Sequence, residues 1–325
     1  MGEDRAALIE AGRIVEAAIG RHDERLRLGA VLAARLTATL IPRRRGLVAL
    51  DGGGEAWLEP MPPALSDGMA LAVEIVREPI PEPGRPKRAR VRATDAPPAP
   101  GPDLRARIAA TGLPVRTLLP HMPDALEAAG WSELLDEAES GEIAFPGGAL
   151  RLWPTPAMAL FDVDGALPPD QLAIAGARAA AAAVRRMGIG GAIGIDLPTL
   201  ASKAERQAAA AAVDAVLPQP FERTAVNGFG FLQIVRRRDR PSLPELLRAD
   251  PALAAALALL RRAERTPGIG TRTLVAAPAV AALVAARPDW REALARRLGA
   301  PVVLRAAPGL AISAGHVDPE HPPHR

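Results

Sequence analysis

Three aspartates stand where carboxylates can share a ligand. Asp162 and Asp164 close the apolar run MALFDVDG (158–165), and Asp196 closes GAIGID (191–196). Between the runs, an alanine-rich stretch opened by Pro168-Pro169 and ended by Gly188 predicts a helix over 168–187. Strand, helix and strand make a βαβ unit, whose parallel strands bring their carboxyl ends to one crevice. The i, i+2 spacing of Asp162 and Asp164 puts both on one side of an extended chain. Carboxylates gathered this way repel unless a cation sits among them. Magnesium suits the place, because it takes one or two carboxylates and completes its shell with water and phosphate oxygens. There it can activate water and stabilise a phosphoryl transition state. The competing reading is that each aspartate caps the helix or turn that follows.

Three segments are basic: Arg43-Arg44-Arg45, residues 85–92 (RPKRARVR), and 236–240 (RRRDR). In the second, strand alternation puts Lys87 away from Arg88, Arg90 and Arg92. Arginines at such spacing can meet successive phosphates; taken singly, each run also reads as a solvated face. Trp57 can stack a base or fill a core. Phe229 and Phe231 read as core. The histidines His22, His121, His316, His321 and His324 show neither HxxxH nor HExxH spacing, so neither a zinc site nor a triad is expected. Gly188-Ile189-Gly190-Gly191 follows a helix instead of opening one, so it is no phosphate loop.

The elements that must position these groups can be read in outline. The chain has 325 residues, a length suited to about two domains. Hydrophobic residues are 49% and aromatics 3%, with no tyrosine, so the core is aliphatic and rich in alanine. Net charge is only +3, and Lys87 and Lys203 are the only lysines, so charge alone names no nucleic-acid partner. The absence of cysteine excludes disulfides, Cys-ligated zinc, iron–sulfur clusters and thiol catalysis. The acidic start and the absence of a run of about 18 apolar residues suggest no leader and no membrane span. A cytoplasmic protein is the expectation.

Residues 5–19 read as two short strands turning at Glu10-Ala11-Gly12-Arg13, with a helix as the competing reading. Five short strands between 29 and 93 suggest a small β-sheet or a barrel of the OB type. Residues 94–103 are a proline-rich linker, and 103–141 read as helices interrupted by Pro114, Pro120 and Pro123. A β-hairpin is expected at 141–155. A second helix is expected at 201–217, then a third parallel strand within 222–238. Residues 236–247 read as a basic connection. The last third reads as a small α/β unit, with helices near 251–265, 278–286 and 289–298, strands at 272–277 and 300–306, and a frayed tail.

The segments GEIAFPGGALRLWPTPAMALFDVDG, RRMGIGGAIGIDL and NGFGFLQIVRRRDRPSL together resemble the catalytic core of the ribonuclease E/G family. The resemblance puts that family's metal-binding aspartates on Asp162 and Asp196 and its motif asparagine on Asp164. Its Phe-Gly pair falls on Phe229-Gly230, and its arginines on Arg206, Arg236 and Arg238. Trp57 and Lys87, with Arg88 and Arg90 beside them, fall in a segment similar to its inserted RNA-binding barrel.

The implied fold is α/β in several parts. It comprises an RNase H-like subdomain from 1–28 with 104–140, an OB-type barrel at 29–95 and a linker at 96–103 in place of a 5′-end sensor. A DNase I-like core at 141–240 and a small domain at 241–325 complete it. The implied activity is Mg²⁺-dependent endonucleolytic cleavage of single-stranded RNA, with Arg236 or Arg238 steadying the phosphate. Three departures from the family stand out: Asp164-Gly165 replaces Asn-Ser, Gln233 replaces a glutamate, and the two-cysteine zinc link is missing. A catalytically reduced RNA-binding protein and a general α/β metal-dependent phosphodiesterase are therefore the alternatives. Without the zinc link, a monomer or weak homodimer is expected.

Overall fold

The computed structural model describes residues 1–22, 24–82, 84 and 86–321; Arg85 and His324 lie outside them. The chain opens with a hairpin of β1 (Glu3–Glu10) and β2 (Arg13–Arg21), as the alternation suggested. Its two-residue turn holds Ala11 at φ 48° and Gly12 at φ 77°. Positive φ at both central residues matches the right-handed strand twist, which is why such turns close hairpins.

Five strands then close a barrel: β3 (Val31–Ile41), β4 (Arg45–Leu50), β5 (Glu55–Leu58), β6 (Ala70–Arg77) and β7 (Ala89–Thr94). Their order is β3-β4-β5-β7-β6, with β5 and β7 parallel. Leu36, Val48, Ala56, Leu58, Val73, Ile75, Ala89 and Val91 fill its interior without solvent exposure. Arg88, Arg90 and Arg92 alternate with the inward residues and face out.

Two short helices, α1 (Leu104–Ala109) and α2 (Ala125–Ala128), precede α3 (Trp131–Ser140). The central sheet follows: β8 (Glu142–Phe145), β9 (Gly148–Pro154), β10 (Ala159–Gly165), helix α4 (Pro169–Arg186), β11 (Gly191–Asp196), helix α5 (Lys203–Asp214), β12 (Glu222–Arg223) and β13 (Phe231–Arg236). The sheet order is β12-β13-β11-β10-β9-β8. β10 and β11 are parallel, as the βαβ pattern requires. β13 is not: it runs antiparallel to β11. The helix α5 returns the chain to β12, which does run with β11, and a hairpin then reverses it into β13 between the two.

One face of this sheet is covered by α4. Five of its eight buried residues are alanine, and Gly176 sits so close to β10 that a methyl group there would lie 2.3 Å from Val163 Cγ1. Small side chains thus let the helix press against the strand that carries Asp162 and Asp164.

The chain continues through α6 (Leu243–Ala249), where a connection was expected, and α7 (Pro251–Arg265). Ser242 and Glu245 form a capping box that starts α6. A last sheet, ordered β15-β14-β16, joins β14 (Ile269–Ala276), β15 (Val302–Ala306) and β16 (His316–His321), with α8 (Pro278–Ala285) and α9 (Pro288–Leu298) against it. The expected frayed tail is therefore a strand as far as His321, paired antiparallel to β14. Among the described residues no helix is long and apolar enough to cross a membrane.

Candidate functional site

Phe161 and Val163 point from β10 into the core under α4, so Asp162 and Asp164 point to the opposite, open face. On β11 the buried Ile193 and Ile195 likewise alternate with Gly194 and Asp196. Asp162 and Asp196 are register partners across the parallel pair. The same cross-strand line continues on both sides: Glu142 pairs with Arg151, Arg151 with Asp162, and Asp196 with Phe231. A row of five side chains, Glu142, Arg151, Asp162, Asp196 and Phe231, therefore crosses one open face of the sheet.

Within this row the aspartates differ. Arg151 Nη1 lies 3.5 Å from Asp164 Oδ2, and its Nε lies 3.6 Å from Glu142 Oε1. Asp162 and Asp196 make no ion pair or side-chain hydrogen bond with another described residue. Neither caps a helix: α5 is capped by Ser202 with Glu205, and α4 starts at Pro168. Among the described residues no group of three or more His, Asp or Glu side chains converges to hold a metal, and Asp164 faces Arg151 instead. The remaining pair still has the donor chemistry for magnesium, which needs only one or two carboxylates when water and phosphate complete its shell.

Arg236 and Arg238 lie away from this row, although Arg238 lines the groove between the barrel and the sheet. Arg236 pairs with Gly191, at the far end of β11 from Asp196. It falls in alternation with the buried Leu232 and Ile234, on the α4 side of the sheet. Burial lowers its pKa, with Glu16 acting against that. Arg238 bonds Glu245 and reaches Glu82 at 2.8 Å, joining the barrel to α6. Arg206 holds the turn after β11, donating to the Leu200 carbonyl at 3.0 Å.

The loop before β13 was misread as core at one position. Phe229 is 84% exposed. Asn227 Oδ1 accepts from the backbone N–H of Phe229 at 2.9 Å and of Phe231 at 3.0 Å. Gly230, at φ 92°, sits against the strand end, where a Cβ would lie 2.1 Å from the Leu197 carbonyl oxygen. Phe231 is only partly exposed, its ring lying over Gly194.

A groove of about 1050 Å³ runs between the barrel and the central sheet. Trp57, Lys87, Arg88 and Arg90 line its barrel side, together with Arg45 and Arg77, while Met158 and Ala192 line the sheet side. Lys87 thus shares the groove with Arg88 and Arg90; β7 begins only at Ala89, so strand alternation does not reach Lys87. Trp57 is on the barrel's outer surface and not in its core, with Arg88 at 5.3 Å and Arg45 at 5.8 Å from its ring centre. Met158 Sδ covers Gly194, 3.0 Å from where its Cβ would be. From there the open face leads to Asp196 two residues on, about 7 Å at strand spacing.

The expected basic track is also heavily paired. Lys87 meets Glu82 at 2.7 Å, Arg88 meets Glu55 at 3.0 Å, and Arg90 meets Glu59 at 3.7 Å. Comparison with models of known protein families and with curated protein sequences finds no match to the chain.

Proposed function

We propose that this chain is a magnesium-dependent endoribonuclease for single-stranded RNA, built like the ribonuclease E/G family. In this reading the barrel is an OB-type RNA-binding module and the central sheet a DNase I-like core. The observation that carries it is the in-register pair of Asp162 and Asp196 on an open sheet face, without an ion-pair partner among the described residues. Two like charges placed side by side on a sheet cost stability, so their juxtaposition needs a reason outside folding. The barrel's strand order, with its third and fifth strands parallel, fits the OB type.

Asp162 and Asp196 would hold the magnesium ion, which when bound supplies a Lewis acid and an activated water. Arg151, adjacent to Asp162 in register, takes the phosphate-steadying part that distance denies to Arg236 and Arg238. Its exposed guanidinium, which meets Asp164 through one nitrogen at 3.5 Å, can exchange that carboxylate for a phosphate oxygen. The groove beside Trp57 holds the flanking strand and delivers it along Met158 and Phe231, which cover Gly194, to the aspartates.

A second reading has its own support. Arg151 already neutralises Asp164, which weakens the site's pull on a cation, and favours a protein that binds RNA without cutting it. Incubating the protein with end-labelled RNA, with magnesium and then with EDTA, separates the two. Cleavage that stops with EDTA is expected. Binding without cleavage supports the second reading, and equal handling of single-stranded DNA points to a general phosphodiesterase. Absence of any nucleic-acid binding overturns all three.

A further inference from the structure

We propose that Phe229 is the stacking platform for the base beside the scissile phosphate, and so fixes where the RNA is cut; this rests on the reading of Asp162 and Asp196 as the cleavage site. A phenylalanine 84% exposed is an expensive thing to hold still in water. The backbone that carries this one is pinned. The Asn227 carboxamide ties the N–H groups on both sides of Gly230, the Asn227 N–H returns to the Phe231 carbonyl at 3.0 Å, and Leu197 N–H donates to the Gly230 carbonyl at 3.1 Å.

The last bond fastens the loop to the residue that follows Asp196. Gly230 is required for that fastening, since any side chain would strike the Leu197 carbonyl and the positive φ disfavours one in any case. Phe231 pairs with Asp196, and Phe229 lies two residues beyond it, past the strand end. The local sequence thus spends an Asx turn and a close-packed glycine on presenting one aromatic ring next to a paired-carboxylate site.

An aromatic face accepts any base, because every base offers a π surface. It also costs little ordering on binding, since the loop is already fixed. Phe229 therefore recognises an unpaired base through stacking and not through an edge. A duplex, whose bases are already stacked, gains nothing from it.

The test uses the full chain and a single-stranded RNA oligonucleotide carrying 2-aminopurine at successive positions. Binding is measured in EDTA and cleavage in magnesium, for the wild type and for Phe229→Ala, Phe229→Leu and Phe229→Trp. Stacking is expected to quench 2-aminopurine at one position next to the cut. Alanine and leucine should each abolish that quenching and weaken binding about 5- to 100-fold, while tryptophan keeps both. The exposed ring supports no core, so all three variants are expected to fold with unchanged circular dichroism. If leucine serves as well as phenylalanine, or alanine changes neither affinity nor cut position, the platform is wrong while the nuclease reading stands. If alanine instead breaks up a dimer in sedimentation and leaves RNA affinity intact, the ring is a subunit contact and the proposal falls. A wild type that binds no RNA removes the underlying reading, and the platform with it.

Discussion

Asp162 and Asp196 are register partners on an open sheet face and make no ion pair among the described residues; the neighbouring Arg151 is turned to Asp164 and Glu142. A structural aspartate would show a partner, as Asp124 does with Arg261 at 2.7 Å and Asp214 does with Arg223. The difference makes a sharp expectation. Like charges directly opposite on a sheet are destabilising. Asp162→Asn and Asp196→Asn should each remove magnesium-dependent cleavage, by a hundredfold or more, while raising the melting temperature or leaving it unchanged. Calorimetry alongside a cleavage assay reads both. A variant that loses stability would reveal a structural partner for the carboxylate, and one that cuts RNA at the wild-type rate would end the assignment. Arg151→Ala should also slow cleavage, whereas Arg236→Ala should act mainly through stability, since its guanidinium bonds the Ile189 carbonyl on the covered side of the sheet. The aspartates were legible because strand ends can be read from an apolar run followed by an acid. Arg151 and Phe229 were not, because their placement depends on cross-strand register and on one glycine at positive φ, neither of which a single segment displays.

The elements that frame the groove meet at Glu78, just past the end of β6, where its N–H donates to the Asp239 carbonyl at 2.9 Å. Glu78 is 3% exposed; its Oε1 accepts from Leu28 N–H at 2.9 Å and lies 3.4 Å from Arg240 Nε. Burial outweighs these partners and pushes its carboxyl from 4.5 up to about 7. A raised carboxyl pKa means the folded form holds its proton more tightly than the unfolded chain, so its stabilising share is complete below pH 4.5 and is lost as pH rises through about 7. Glu78→Gln keeps an acceptor for Leu28 and cannot ionise. It should match the wild type near pH 4.5 and exceed it at pH 8 by about 2 to 3 kcal/mol. Denaturant melts at the two pH values check this, and a gap that does not widen with pH refutes it. Element identity itself was mostly readable. The hairpin at the start, the barrel strands and the α4–β11 unit follow from alternation and turn residues, whereas β13's direction does not, because the reversal rests on the two-residue strand β12. The capping box Ser242–Glu245 was a legible helix start that the neighbouring arginines and prolines obscured.

At the scale of the whole molecule, a net charge of +3 over 325 residues cannot by itself draw in RNA. Attraction must come from the groove, where most of the cations are already matched to carboxylates. Glu82 holds Lys87 and Arg238, Glu55 holds Arg88, and Glu59 holds Arg45 and Arg90. Partly exposed pairs of this kind are worth roughly 0 to 1 kcal/mol each, so a phosphate can replace a carboxylate at small cost. Each replacement also releases counterions from the RNA, which makes affinity fall with salt by about 0.7 log units per contact on a single strand. Replacing Lys87, Arg88 and Arg90 together by alanine should therefore weaken binding and flatten the salt dependence by about two log units per decade of salt. The paired arrangement makes a second, opposite expectation that a merely solvated basic face would not. Glu55→Gln and Glu59→Gln free Arg88, Arg90 and Arg45 while removing negative charge from the path of the strand, so each should tighten RNA binding about two- to fivefold at low salt, with the gain fading toward 0.5 M. Titrations of a labelled oligonucleotide at several salt concentrations measure both variant sets on one scale. An unchanged slope in the triple variant, or weaker binding in the glutamine variants, would show that the strand does not run along this groove.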